Sequence, residues 1–134
     1  MFTKHLSIFI YKFYFMKKTL ILFLFISTVS FGQVKTNQSK IEVIEKELFK
    51  DLIEKKIQII DVRTAEEFRD GNIKNAINID FKSSSFIQNI SRLDKKKPYL
   101  IYCKSGNRSG KASEIMDSLG FYRIYDLRGG YMNW

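Results

Sequence analysis

Pro98-Tyr99-Leu100-Ile101-Tyr102-Cys103-Lys104-Ser105-Gly106-Asn107-Arg108-Ser109 is an apolar run that opens, at the chain's one cysteine, into a turn of small and basic residues. Ser109–Leu119 follows with helical character and Gly120 stops it. The order is strand, loop, helix, with a thiol where the loop leaves the strand. Backbone N–H groups of such a loop, with the start of the helix behind it, converge on one point and hold an anion there. A thiol in that field gives up its proton easily.

By residue type alone Cys103 reads as a small buried hydrophobe, since cysteine is among the most buried side chains. Its neighbours argue for reactivity. Lys104, Arg108 and Lys111 lie close by, and no acid occurs between Asp94 and Glu114. Gly106 and Gly110 permit the positive φ angles of a tight anion-holding loop. An ordinary thiol of pKa about 8.5 is only about 3% ionised at pH 7. A two-unit fall favours the thiolate by about 2.7 kcal/mol, within reach of several aligned amides and nearby cations. Cys103 is therefore expected to be a nucleophilic thiolate.

The usual partners of a reactive thiol are missing. The single histidine is His5, in a segment expected to be removed, so a cysteine-protease arrangement is not expected. One cysteine leaves neither a Cys-x-x-Cys pair nor a Cys/His zinc site. Neither metal nor cofactor is expected, and the loop itself must activate the sulfur.

Four stretches in order then resemble the rhodanese family of single-domain sulfurtransferases. Ile59-Ile60-Asp61-Val62-Arg63 resembles the family's Asp-Val-Arg strand end. Glu66-Glu67-Phe68 with Gly71-Asn72-Ile73-Lys74-Asn75-Ala76-Ile77-Asn78-Ile79 resembles its Glu-Phe…Gly-His-Ile-x-Gly-Ala segment. Cys103-Lys104-Ser105-Gly106-Asn107-Arg108-Ser109 resembles its catalytic loop, and Leu119-Gly120-Phe121…Leu127-Arg128-Gly129-Gly130-Tyr131…Trp134 its carboxyl end. Asn72 and Asn75 depart from the family's His and Gly. Asn75 suits a turn, because asparagine tolerates left-handed geometry.

The resemblance implies a ping-pong cycle. Cys103 takes a sulfane sulfur from a small anionic donor such as thiosulfate, becomes a persulfide, and passes the sulfur to a thiol or cyanide-like acceptor or to a protein. The Lys104–Ser109 amides would stabilise the anionic sulfur as an oxyanion hole does. Lys104 and Arg108 would attract the donor, and Ser105 and Ser109 serve as hydroxyl donors or as loop and cap residues. In the family, the residues matching Asp61 and Arg63 support the site, and Glu67 is expected to pair with Arg63 or Arg108. Four residues separate Cys103 from Arg108, against five in tyrosine phosphatases and in the rhodanese-like cell-cycle phosphatases. The shorter loop favours sulfur transfer over a phosphatase or arsenate reductase. A persulfide carrier with little turnover is the other alternative.

At 134 residues the chain makes one domain, large enough to bury an ordinary core. Lys17-Lys18, the apolar Thr19–Ile26 and the small residues Ser30 and Gly32 read as a secretory signal peptide over residues 1–32, cut before Gln33. Met16 reads as an alternative start, and the apolar run is short of the about 20 residues a membrane span needs. A periplasmic or secreted location without a stable membrane span follows. Loss of this segment removes four of the 23 basic residues and none of the 14 acidic ones, leaving about +5 in place of +9. With no basic stripe interleaved with aromatics, nucleic acid is not an expected partner.

Residues 33–40 read as a flexible lead and 41–134 as the rhodanese-like domain. Strands are expected at 41–44, 58–61, 76–79, 99–102 and 123–126. Helices are expected over 45–56 (with Leu48, Phe49, Leu52 and Ile53 inward), 65–69 behind a Thr64–Glu67 capping box, 85–93 and 109–119. This alternation predicts a three-layer α/β fold, a mostly parallel sheet of about five strands with helices on both faces. Asp61 and Cys103 both fall at the carboxyl ends of strands, where such sheets bind ligands.

Overall fold

A computed structural model of the protein describes residues 40–134. The expected signal peptide, the Met16 start and the lead as far as residue 39 lie outside the described residues. Five strands, β1 (Ile41–Ile44), β2 (Gln58–Asp61), β3 (Ala76–Asn78), β4 (Pro98–Tyr102) and β5 (Arg123–Leu127), form one sheet in the order β1-β5-β4-β2-β3. Every pairing is parallel. Between them lie α1 (Lys46–Glu54), α2 (Ala65–Arg69), α3 (Phe86–Ser91) and α4 (Asn107–Ser118), and a 3₁₀ turn (Gly130–Asn133) ends the chain.

The central strand explains why both faces must be covered. Successive strand side chains point to opposite faces, and all of Tyr99–Cys103 is buried. Tyr99, Ile101 and Cys103 join the core made with Phe86 and Ile90 of α3 and with Ala112 and Met116 of α4. Leu100 and Tyr102 join the opposite core, with Phe49 and Leu52 of α1. Cys103 continues the first face, so the end of β4 puts its side chain beneath the start of α4.

Three expectations need adjustment. Leu48 is 41% exposed, although Phe49 and Leu52 are buried as expected. At 100° per residue Leu48 stands roughly 90° around the helix from the centre of the Phe49, Leu52 and Ile53 stripe, at its edge. Helix α4 begins at Asn107, not Ser109, because Gly106 takes a left-handed φ of 97° and turns the chain into the helix at once. Arg108 thereby belongs to the first helical turn. Helix α3 is confined to Phe86–Ser91. The Thr64–Glu67 capping box forms as read, with both reciprocal hydrogen bonds. Asn75 has φ 68°, the left-handed turn that glycine would otherwise supply.

The carboxyl-terminal turn closes on the Cys103 loop. Tyr131 N–H donates to the Cys103 carbonyl at 2.8 Å and Met132 N–H to the Lys104 carbonyl at 3.0 Å. Gly129 and Gly130 reach this position with φ of 74° and 61°. A Cβ on Gly130 would stand 2.5 Å from the Cys103 carbonyl oxygen and 2.7 Å from the Lys104 carbonyl, so only glycine fits without displacing the loop backbone. Gly120 shares the left-handed geometry, but a Cβ there meets nothing within 4 Å. Gly130→Ala is accordingly expected to destabilise the fold by about 1–3 kcal/mol more than Gly120→Ala. Denaturant unfolding of the two variants checks this; equal losses would mean that the contact is not tight.

Candidate active site

Cys103 is 1% exposed, yet polar groups surround its sulfur. Gly106 N–H donates to Sγ at 3.1 Å, and the buried Ser109 hydroxyl, whose one hydrogen also has the Gly106 carbonyl within reach at 3.2 Å, stands 3.5 Å from it. Burial is the strongest influence on the thiol and pushes its pKa up. The Ser109 hydroxyl and the Ser109, Ser105 and Gly106 amides together outweigh it and leave the pKa below its ordinary value. The orientation of one of these amides, that of Ser105, follows from the turn. In a trans peptide the N–H points opposite to the C=O, and no peptide bond among the described residues is cis. Drawing the Cys103 and Lys104 carbonyls toward Tyr131 and Met132 therefore turns the Lys104 and Ser105 N–H groups the other way.

Arg108 does not stand ready as a free cation. Its guanidinium donates to both oxygens of Glu67, at 2.6 and 2.7 Å, and Asp80 and Cys103 also act on its charge. The expected attraction of a donor by Arg108 is thus tempered: the first-turn position of the residue carries it across to the capped start of α2. Of the two cations expected at the mouth, Lys104 is the exposed one. The pairing of Glu67, open between Arg63 and Arg108, is with Arg108.

Asp61 and Arg63 form a separate buried pair. Arg63 Nε donates to both Asp61 carboxylate oxygens at 3.0 Å, and its NH2 group to Oδ2 at 2.6 Å. The same NH2 group donates to the Gly71 carbonyl, and Asp61 Oδ1 also accepts the Arg63 backbone N–H. The guanidinium lies 4.1 Å from the Tyr131 ring centre and 5.4 Å from that of Tyr102. The two residues expected to support the site are thus paired with each other. Breaking such a pair would strand a buried charge.

Of the other expected loop residues, Ser105 contributes its amide, Gly106 its amide and its left-handed turn, and Asn107 an exposed start to α4. Asn72, where the family has His, donates its side-chain amide to the Phe68 carbonyl. Trp134 packs edge-on against Phe49. Asp126, Tyr102 and Tyr131 border the site without having been singled out as site residues. An acid inside an otherwise apolar strand, Tyr125-Asp126-Leu127, is the signal that could have marked Asp126.

Residues 45–134 match the rhodanese-like domain. The chain belongs to the rhodanese-like family. It is 39% identical over 80 residues to an uncharacterised protein of Bacillus subtilis, covering 60% of this chain and 62% of that one. It is 34% identical over 86 residues to the thiosulfate sulfurtransferase GlpE of Coxiella burnetii, covering 63% and 78%. A tRNA uridine(34) hydroxylase of Pelagibacter ubique is 32% identical over 77 residues; the match covers 57% of this chain but only 26% of that longer protein. Among solved structures, a rhodanese-related protein from Thermoplasma volcanium has 35% identity and a TM-score of 0.59, covering 69% of this chain and 89% of that one. The fold and the membership in a sulfurtransferase family read from the residues stand.

Glu67 supplies a pH test of this rhodanese-like site. Its hydrogen bonds with Arg108, opposed by burial and aided by the Thr64 N–H, lower its pKa from 4.5 to about 2. A depressed carboxyl pKa contributes stability that is complete above 4.5 and is lost as the pH falls through about 2. Glu67→Gln is expected to destabilise the fold at pH 7 by about 1–2 kcal/mol, after allowance for partial exposure, with the difference vanishing near pH 2. Unfolding midpoints across pH check this; a pH-independent difference would contradict it.

Proposed function

We propose that the protein is a sulfurtransferase that moves a sulfane sulfur from a small anionic donor of the thiosulfate type to a thiophilic acceptor. The supporting observation is the sulfur of Cys103, buried but met by amides and a hydroxyl that lower its pKa. Cys103 thiolate attacks the outer sulfur of thiosulfate, the S–S bond breaks, and sulfite leaves with its electron pair. The resulting persulfide carries its negative charge on the outer sulfur, which the Ser105, Gly106 and Ser109 donors stabilise. A nucleophile such as cyanide, a thiol or a protein thiolate then takes that sulfur, and Cys103 leaves as thiolate. Lys104 draws the anionic donor to the mouth. The four-residue loop and the commitment of Arg108 to Glu67 weigh against phosphate chemistry.

Thiosulfate and cyanide are expected to yield thiocyanate, with Cys103→Ser reducing the rate to background. Mass spectrometry after thiosulfate loading should show the native chain heavier by one sulfur atom, discharged by cyanide. A stable adduct that cyanide discharges slowly would instead make the protein a sulfur carrier. Absence of an adduct, or its survival in Cys103→Ser, would overturn the assignment.

Residues 1–32 are, in this reading, a signal peptide and the domain works in the periplasm or outside the cell. Sequencing of the amino terminus from the producing cell is expected to begin at Gln33; retention of the apolar segment would contradict export.

A further inference from the structure

A fixed ion pair stands beside the Cys103 loop. Arg108, the second residue of α4, lies in the chain between Gly106 and Ser109, whose N–H and hydroxyl stand 3.1 and 3.5 Å from Sγ. Its two terminal nitrogens are taken by the two oxygens of Glu67, at 2.6 and 2.7 Å. Glu67 is itself anchored: Oε2 also accepts the Thr64 N–H at 2.9 Å, and the Glu67 N–H donates to Thr64 Oγ1. The chain leaving β2 toward Thr64 is tied to the end of β4 by the Val62 N–H, which donates to the Tyr102 carbonyl at 3.0 Å. The acid is thus mounted on the same rim of the sheet as the nucleophile, which follows Tyr102 directly. A two-point contact of this kind is also how a guanidinium grips a small oxyanion. Glu67 occupies the fork that a donor's oxygens would otherwise use.

We propose that Glu67 sets the donor charge that the Cys103 loop accepts: by holding the Arg108 fork it withdraws the cation a dianionic donor needs, and so favours donors with one negative charge, such as organic thiosulfonates, over thiosulfate. This rests on the reading of Cys103 as the sulfur-accepting thiolate and narrows its donor. With a thiosulfonate R–SO2–S⁻, Cys103 thiolate attacks the terminal sulfur and the S–S bond breaks. The sulfinate R–SO2⁻ leaves with the electron pair, and the Cys103 persulfide keeps the other negative charge. With thiosulfate the same step brings a dianion up to an anionic sulfur and releases sulfite as a dianion. That is one charge more, at a rim where Glu67 already neutralises Arg108. The exposed Lys104 serves either donor and does not discriminate between them. Glu67 acts through Arg108 and is a positioning residue for specificity.

The test compares kcat/KM for thiosulfate with that for methanethiosulfonate, a donor of similar size with one charge fewer, cyanide being the acceptor. It uses the full chain, Glu67→Gln, Arg108→Gln, the double variant and Glu66→Gln. Glutamine at position 67 still completes the capping box, so the start of α2 is kept. Glu67→Gln is expected to raise the thiosulfate-to-thiosulfonate ratio about tenfold, chiefly through a lower KM for thiosulfate. In the Arg108→Gln background the same change should leave the ratio nearly unmoved. So should Glu66→Gln, which removes an equal charge from an exposed position of the same helix. An unchanged ratio in Glu67→Gln, or an equal rise without Arg108 or in Glu66→Gln, would overturn the proposal. The rates of Cys103 alkylation by iodoacetate and by iodoacetamide give a second readout. Both reagents consume the thiolate, so their ratio is independent of its ionisation and reads the access of an anion; it should rise in Glu67→Gln only when Arg108 is present. Alkylation needs no sulfur donor. An Arg108-dependent rise with no persulfide formed from either donor would therefore sink the sulfur-transfer reading, and sulfur transfer with unmoved ratios would sink the role of Glu67 alone.

Discussion

The grip of the carboxyl-terminal turn on two carbonyls, those of Cys103 and Lys104, is the constraint on which the site depends. Because peptide groups are rigid and trans, fixing where these carbonyls point fixes where the following amides point. Held from behind, the loop turns the Ser105 amide toward the sulfur, and the left-handed Gly106 and the first turn of α4 bring the others. Gly130 lets the turn come this close, and Tyr131 is held from the other side by the Arg63 guanidinium against its ring. The Asp61–Arg63 pair thus bears on the nucleophile at one remove, through a ring and a turn. Tyr102 connects the same frame to the segment after α2, its hydroxyl accepting the Ile73 N–H at 3.1 Å.

Two opposed influences act on the thiol. Its position at the end of a strand covered on both faces removes it from water, which alone would keep it protonated. The donors around it reverse that outcome, and they can do so because burial strengthens each hydrogen bond to the anion. An exposed thiol with the same neighbours would lose much of their effect to solvent. The site combines a low-dielectric floor with a directed rim, as expected of groups arranged before charge develops.

Much of this was legible in the residues. The apolar Tyr99–Tyr102 run ending at Cys103, with helix beyond, placed Cys103 at a strand's carboxyl end, and it does follow the last residue of β4. Thr64 and Glu67 announced their capping box because that interaction is local in sequence. The partner of Glu67 was not legible, since the 41 positions between it and Arg108 are closed only by the fold. Leu48 showed the limit of periodicity: the edge of a helical stripe depends on how neighbouring elements roll against it. Asp126 was not singled out because an acid in a strand ordinarily faces solvent; the packing of α4 decides otherwise.

Titration of thiolate absorbance near 240 nm in the native chain, with Cys103→Ser as blank, measures the ionisation of this sulfur directly. A midpoint clearly below the ordinary thiol value of about 8.5 is predicted, because the donors outweigh burial. A midpoint at or above that value would mean that burial governs the sulfur, and would contradict the assignment of Cys103 as a nucleophile kept ionised by its loop.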